Sequence, residues 1–215
     1  RALTQHLRDK GSMPGIISTE CGNIDILLER LDSRIKEQPN PVMEVTVKSP
    51  VHMPGSGKRL VLMDFGVKKN IISSLLKRNC DIHILPAAST FDDIMALDPD
   101  CVLLSNGPGD PSSLTDAVHV ISKLLGKKPI LGIGLGMQLL GLALGGSTYK
   151  LKFGHHGSNY PVRDFGTSRC YITSQNHNYA LAKEFEDRDV EITQVNINDG
   201  TVEGIRHKKY PVLGF

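Results

Sequence analysis

With 215 residues, 40% of them hydrophobic, the chain can bury the core of one or two domains, which excludes a disordered tail or a minimal disulfide scaffold. A net charge of +2, with lysines and arginines spread along the chain, argues against a nucleic-acid partner. Cys21, Cys80, Cys101 and Cys170 lie far apart with no Cys-x-x-Cys pair, which argues against a disulfide framework or a cysteine zinc site and suits a reducing cytoplasm.

Residues 1–38 read as a piece of a separate domain. Ala2 to Lys10 is helix-like, starts as if mid-helix, and stops at Gly11. Gly15-Ile16-Ile17-Ser18 is a short apolar run. Asn23 to Gln38 is helical again, because Ile24, Leu27, Leu28 and Leu31 fall on one face. Residues 39–58 hold Pro41, Pro50, Pro54, Gly55 and Gly57, and read as a linker carrying one short strand near Met43 to Val47.

From Arg59 the rhythm changes. Leu60 to Met63 is wholly apolar, as expected of a strand buried on both faces. A helix follows from about Lys69, with Ile71, Ile72, Leu75 and Leu76 on one side. Asp81 to Leu85 is a second strand, and Ser89 or Thr90 can cap a helix through Leu97. Cys101 to Leu104 is a third strand; Cys80 and Cys101, at the edges of apolar runs, are expected to be buried free thiols. A loop from Ser105 to Ser113 leads to a helix over Thr115 to Leu125, closed by Gly126. Pro129 to Ile133 is a fourth strand, and Met137 to Leu144 a helix ending at Gly145-Gly146. The uncharged stretch from Pro129 to Gly146 approaches a bilayer span in length. Its six glycines and Gln138 suit a strand, a turn and a helix better.

This alternation predicts parallel βαβ units in an α/β layered fold. After Ser147 strands dominate: Thr148 to Phe153, Tyr160 to Arg163, Cys170 to Thr173, Val190 to Asn196 and Thr201 to Arg206. Asn198-Asp199-Gly200 signals a tight turn between the last two. The chain stops at Phe215 just after another apolar strand-like run, and so reads as a fragment. No signal-peptide pattern opens it.

Three constellations carry chemistry. Gly132-Ile133-Gly134-Leu135-Gly136 ends a buried strand and opens a helix, the form of a nucleophile elbow. The residue at its centre would be strained, exposed and close to a helix N-terminus, and the Leu135 amide would point at an oxyanion. That centre is Gly134, which accepts strained angles easily but offers no nucleophile. The alternative is a glycine-rich turn for a nucleotide phosphate, which would make the chain a nucleotide-binding α/β domain. Gly-x-Gly-x-x-Gly fails from Gly132, where Met137 takes the last place, and from Gly134, where Leu139 does; no P-loop lysine follows.

Ser105-Asn106-Gly107-Pro108-Gly109-Asp110-Pro111 follows the third strand. Strand ends in a parallel sheet share one edge, so this loop would face the elbow and its glycine amides could complete an oxyanion hole; a plain surface turn is the other reading. His155 and His156 suggest a metal, yet neighbouring histidines rarely ligate together, so no metal is expected. The polar run Gln175 to Tyr179, at a strand end, could hold an amino-acid ligand or be a solvated loop.

At these residues the chain resembles the class I glutamine amidotransferases, and within them the small subunits of carbamoyl-phosphate synthetases. That family's elbow reads Gly-Ile-Cys-Leu-Gly-His/Met-Gln, matched by Gly132 to Gln138 with Gly134 for the cysteine. Leu104 to Pro111, Lys152 to Gly157, Gln175 to His177, and Asp64-Phe65-Gly66 with Lys68 to Asn70 match further motifs, and Leu3-Thr4 to Gly11 resembles the end of the N-terminal domain. The resemblance covers essentially the whole chain. It implies a flavodoxin-like, mostly parallel sheet with flanking helices, spanning residues 59–215.

The resemblance also implies a chemistry. A cysteine attacks the glutamine amide, and the ammonia released passes to a large synthetase subunit. That subunit, not this chain, would use ATP and Mg to make carbamoyl phosphate for pyrimidine and arginine synthesis. By position, Gly107, Gly109, Leu135, Gln138, Asn176, Asn178 and Tyr179 would contact glutamine, with Gly109 and Leu135 as oxyanion donors. Asn178 stands where the family usually has glycine. The family's catalytic histidine and glutamate lie in a His-Pro-Glu motif beyond the strand that ends at Phe215. With Gly134 at the nucleophile position, the glutaminase step is expected to be inactive. The alternative is a non-catalytic pseudo-glutaminase subunit that stabilises or regulates an ammonia-using synthetase.

Overall fold

A computed structural model describes residues 1–19, 23–37, 40–185 and 187–215. In chain order, α1 (Ala2–Lys10), α2 (Ile24–Glu37) and α3 (Pro41–Val45) precede β1 (Val51–Met53) and β2 (Arg59–Asp64). Next come α4 (Lys69–Leu76), β3 (Asp81–Pro86), α5 (Phe91–Ala96), β4 (Cys101–Leu104), a 3₁₀ turn at Pro111–Ser113 and α6 (Thr115–Leu124). Then follow β5 (Ile130–Gly132), α7 (Leu135–Ala143), β6 (Gly146–Asp164), β7 (Cys170–Phe185), β8 (Val190–Asn196), β9 (Val202–His207) and β10 (Val212–Gly214).

Among the described residues all ten strands belong to one sheet, ordered β1-β3-β2-β4-β5-β10-β9-β7-β6-β8. The five from β3 to β10 run parallel, as the βαβ alternation predicts. β2 alternates between two cores. Val61 and Met63 pack with Ile94, Ile121, Leu139 and Leu140 from the helix-rich side, while Leu60 and Leu62 pack with Ile82, Leu103 and the apolar face of α4. Both faces are covered, which is why the strand carries no polar alternation. Among the described residues no helix is long and apolar enough to cross a membrane, and the uncharged stretch from Pro129 to Gly146 divides into β5 and α7.

The remaining strands are antiparallel and close on themselves. β9 pairs with β10, β7 and β8, and β6 joins β7 to β8. Here the structure departs from expectation. The short strands expected at 148–153, 160–163 and 170–173 are parts of the long hairpin β6–β7, whose register shifts between Lys150 and His155 and again between Gly157 and Tyr160. The run from Gln175 to Tyr179 therefore lies inside β7 and not at a strand end. The Asn198–Gly200 turn forms as expected, with the Gly200 N–H donating to the Asn196 carbonyl at 2.9 Å.

The strand expected near Met43–Val47 is instead the helix α3. Asn40 caps it, its side-chain oxygen accepting from the Val42 N–H, and Pro41 fills the first turn. The 39–58 stretch also supplies β1, which pairs antiparallel with β3, and fully buried Val42. Cys21, Gln38 and Pro39 lie outside the described residues. Cys80 and Cys101 are free thiols but only half-buried, against the buried positions expected, and Cys170 is exposed. The 15–18 run forms no helix or strand, and α1 buries none of its side chains; it is tied to β6 through the Ser12 N–H donating to the Lys152 carbonyl at 3.1 Å.

Of the two cap candidates for α5, Thr90 is used. Its hydroxyl accepts from the Asp93 N–H while Asp93 accepts from the Thr90 N–H at 2.8 Å, a reciprocal capping box. Thr90→Ala is expected to cost about 1 kcal/mol, measured as a fall of roughly 2–4 °C in melting temperature.

Candidate active site

The elbow forms as its glycines require. Gly134 has φ 57° and ψ −112°, outside every basin that L side chains favour. It is the N-cap of α7, so the Leu135 N–H is a first-turn amide without an intrahelical acceptor, at the positive end of the helix dipole. The flanking glycines serve a different need, close approach. A β-carbon on Gly136 would run into the Leu104 carbonyl oxygen, and one on Gly132 would stand 2.7 Å from the Gly136 carbonyl. Helix and strands are stitched together there: the Gly136 N–H donates to Ser105 at 3.1 Å, and the Gly134 N–H donates to Phe215 at 2.7 Å.

Position 134 itself is open. A β-carbon built on Gly134 meets only Asn106, at 3.5 Å, an ordinary van der Waals contact. Glycine is thus not there to avoid a clash. The neighbourhood has room for a β-carbon and a backbone bent to present one.

The Ser105–Asp110 loop stands against this elbow, as strand order predicts. Gly107 lies where a β-carbon would collide with the Phe65 carbonyl oxygen and approach Leu135 Cδ2 at 2.8 Å. Gly109 has φ 94° and packs on Pro41 of α3. Asn106 bridges to the turn after β2, donating to the Gly66 carbonyl at 3.0 Å and accepting from the Lys68 N–H at 3.2 Å. Buried Asp64 sets that turn, accepting from the Gly66, Val67 and Val47 amides at 2.8–2.9 Å. Neither Asn106 nor Asp64 stood out as a site residue in the sequence, although both lie in matched motifs. α3 supports the loop from outside, with Asn40 donating to the Ser113 hydroxyl at 3.1 Å.

β7 joins the site through Tyr179. Gln138 is buried in the first turns of α7, and its Nε2 donates to the Tyr179 carbonyl at 2.6 Å. The Tyr179 hydroxyl lies by Asp110; burial, then that carboxylate's charge, raises its pKa. Gln138 thus ties β7 to the elbow, its N–H donating to the Gly134 carbonyl at 3.1 Å, and Tyr179 meets the loop of Gly107 and Gly109 at Asp110. Asn176 and Asn178 are exposed on β7, and their side-chain oxygens engage His156 Nδ1 and Nε2 at 2.7 and 3.1 Å. His155 and His156 point apart. His155 is buried and pairs across the hairpin with His177. Burial lowers the pKa of His177 and raises that of neighbouring Glu203. As it stands, the elbow can present amide hydrogens to a partial negative charge; it carries no atom able to attack a carbonyl.

The sequence pattern of the family described as glutamine amidotransferase class-I matches residues 61–215. The chain is 45% identical over 213 residues to the carbamoyl phosphate synthase small chain of Clostridium perfringens, covering 99% of this chain and 60% of that protein. It is also 45% identical over 215 residues to the protein of the same name from Caldanaerobacter subterraneus, 99% against 58%. The chain thus spans about 60% of the length of the curated relatives it matches. Among solved structures, a GMP synthase protein from Thermoplasma acidophilum aligns with a TM-score of 0.63 at 21% identity, over 73% of this chain and 81% of that one. A glutamine amidotransferase from Thermotoga maritima aligns at 0.58 and 17%, over 74% of each. At such identities the likeness is one of fold.

Proposed function

The chain belongs to the class I glutamine amidotransferase family, and from that premise we propose that it is part of a carbamoyl-phosphate synthase small subunit whose centre holds glutamine without cleaving it. Support for the first half is the similarity of nearly the whole chain to small chains of that enzyme. The second half rests on one observation: Gly134 sits at the elbow with the bent backbone of a nucleophile and no side chain. In this reading the glutamine carbonyl oxygen takes the Leu135 and Gly109 amides. Gly107, Gln138 and Tyr179 wall the pocket, while Asn176 and Asn178 would have to leave His156 to reach it from β7. ATP and Mg belong to a partner large subunit, where ammonia would meet its acceptor.

Calorimetry and an ammonia assay test this together. Glutamine is expected to bind saturably at one site per chain. Ammonia release is expected to stay at the buffer blank, because losing a nucleophile that works as a unit with its base costs on the order of a million-fold. Steady ammonia release by the glycine-bearing chain would refute the proposal. Failure to bind glutamine would instead favour the subunit that only stabilises or regulates an ammonia-using synthetase.

A further inference from the structure

We propose that His155, His177 and Glu203 form a binding site for one zinc-type divalent cation, behind the Gln138–Tyr179 contact and independent of whether the elbow cleaves glutamine. The three come from β6, β7 and β9, and one ligand atom of each lies within 4.8 Å of the others. His155 Nδ1 stands 3.5 Å from Glu203 Oε1, and His177 Nε2 stands 4.0 Å from Glu203 Oε2. Bonds of about 2.0–2.2 Å to zinc place tetrahedral ligand atoms roughly 3.3 Å apart, so the side chains need to draw in by about an ångström or less at these two pairs.

The tautomers point the same way. His155 Nε2 lies 2.8 Å from the Asp199 carboxylate, which can only accept its hydrogen. His177 Nδ1 lies 2.8 Å from the Tyr179 carbonyl, with the same consequence. With those outer nitrogens so engaged, His155 Nδ1 and His177 Nε2 are the two turned towards Glu203. A carboxylate or backbone carbonyl on the far nitrogen is how metal-bound histidines are oriented. The Gln175 Oε1 sits 2.7 and 3.2 Å from those same nitrogens. Two ring nitrogens, an amide oxygen and a carboxylate thus converge on one spot, where a cation could be ligated with Gln175 as the fourth ligand.

Two other groups of metal-capable side chains occur among the described residues, and each already has its own cation. Asp81, between His52 and His83, has Arg59 at 3.5 Å. Asp189, beside Asp187 and His207, is paired with Lys209. Glu203 and Asp199 have no lysine or arginine ion pair among the described residues.

The test is a zinc titration of the full chain, freed of metal by a chelator and followed by competition with a chromogenic chelator. Cobalt(II) is used in parallel to report tetrahedral nitrogen–oxygen ligation by its visible absorption. One equivalent is expected per chain. Glu203→Gln and His177→Gln should each weaken binding by about 100-fold or more, and Asp199→Asn by about 10–100-fold. His156→Ala, on the exposed side of the hairpin, should leave it unchanged. Circular dichroism checks folding; if Glu203→Gln and His177→Gln do not fold, Asp199→Asn decides. No stoichiometric binding, or binding untouched by the folded variants, overturns the site.

Discussion

Gly134→Cys is expected to place at the elbow a thiol that alkylates about ten times faster near pH 6 than exposed Cys170. A cysteine at a helix N-terminus can fall from a pKa of about 8.5 to about 6. At about pH 6 its thiolate fraction then rises from well under 1% to about half, a gain of roughly 150-fold. The lower pKa makes each thiolate a weaker nucleophile, with a Brønsted slope of about 0.4–0.5, which takes back roughly a factor of ten. The new β-carbon fits, since it would meet only Asn106. It must still adopt φ 57° and ψ −112°, at a cost of about 1–3 kcal/mol. Mass-spectrometric labelling against Cys170 measures the first effect and thermal melting the second. Equal labelling of the two cysteines would show that the α7 dipole is not directed at position 134.

Gly136→Ala should be the more damaging change, although it adds a single methyl group. That methyl would be driven into the Leu104 carbonyl oxygen, with the Leu104 carbonyl carbon at 2.6 Å, so the nearest neighbours are backbone and cannot step aside. Overpacking typically costs 1–3 kcal/mol. Here α7 must also lift off β4 and lengthen the Gly136 N–H bond to Ser105, so about 3 kcal/mol or more is expected, a fall of roughly 6–12 °C in melting temperature. Gly15→Ala, where a β-carbon meets nothing within 4 Å, is the control and should change stability by no more than about 0.5 kcal/mol. Equal melting of the two variants would mean that the strand–helix contact at the elbow is not tight.

The parallel half was legible because strands buried on both faces leave unbroken apolar runs such as Leu60 to Met63, with glycines and prolines marking the turns. The elbow was legible for the same reason, although its glycines divide the labour differently. Gly134 supplies the unusual dihedral angles, while Gly132 and Gly136 permit contact. α3 was missed because Met43 to Val47 alternates like a strand; the Asn40-Pro41 pair was the signal that should have prevailed, a cap followed by a proline in the first turn. The β6–β7 hairpin was missed because its polar residues, Gly154 to Gly157 and Ser174 to Asn178, look like loops. The grouping of His155, His177 and Glu203 depends on cross-strand register, which residue order does not reveal. Reading His155 with His156 compared two neighbours that the strand sends to opposite sides.

The self-closing antiparallel strands have a consequence for how copies of this molecule meet. An ordinary open sheet offers two rims of unsatisfied amides and carbonyls, each a template for a foreign chain. Here β8 turns back onto β9, sealing one rim, and the other ends at β1, which is three residues long. Yet among the described residues β6 meets β8 only at Val162–Asp164 and β7 meets β9 only at Leu181, so the outward edges of that long hairpin, and not the rims, are where a foreign strand could dock.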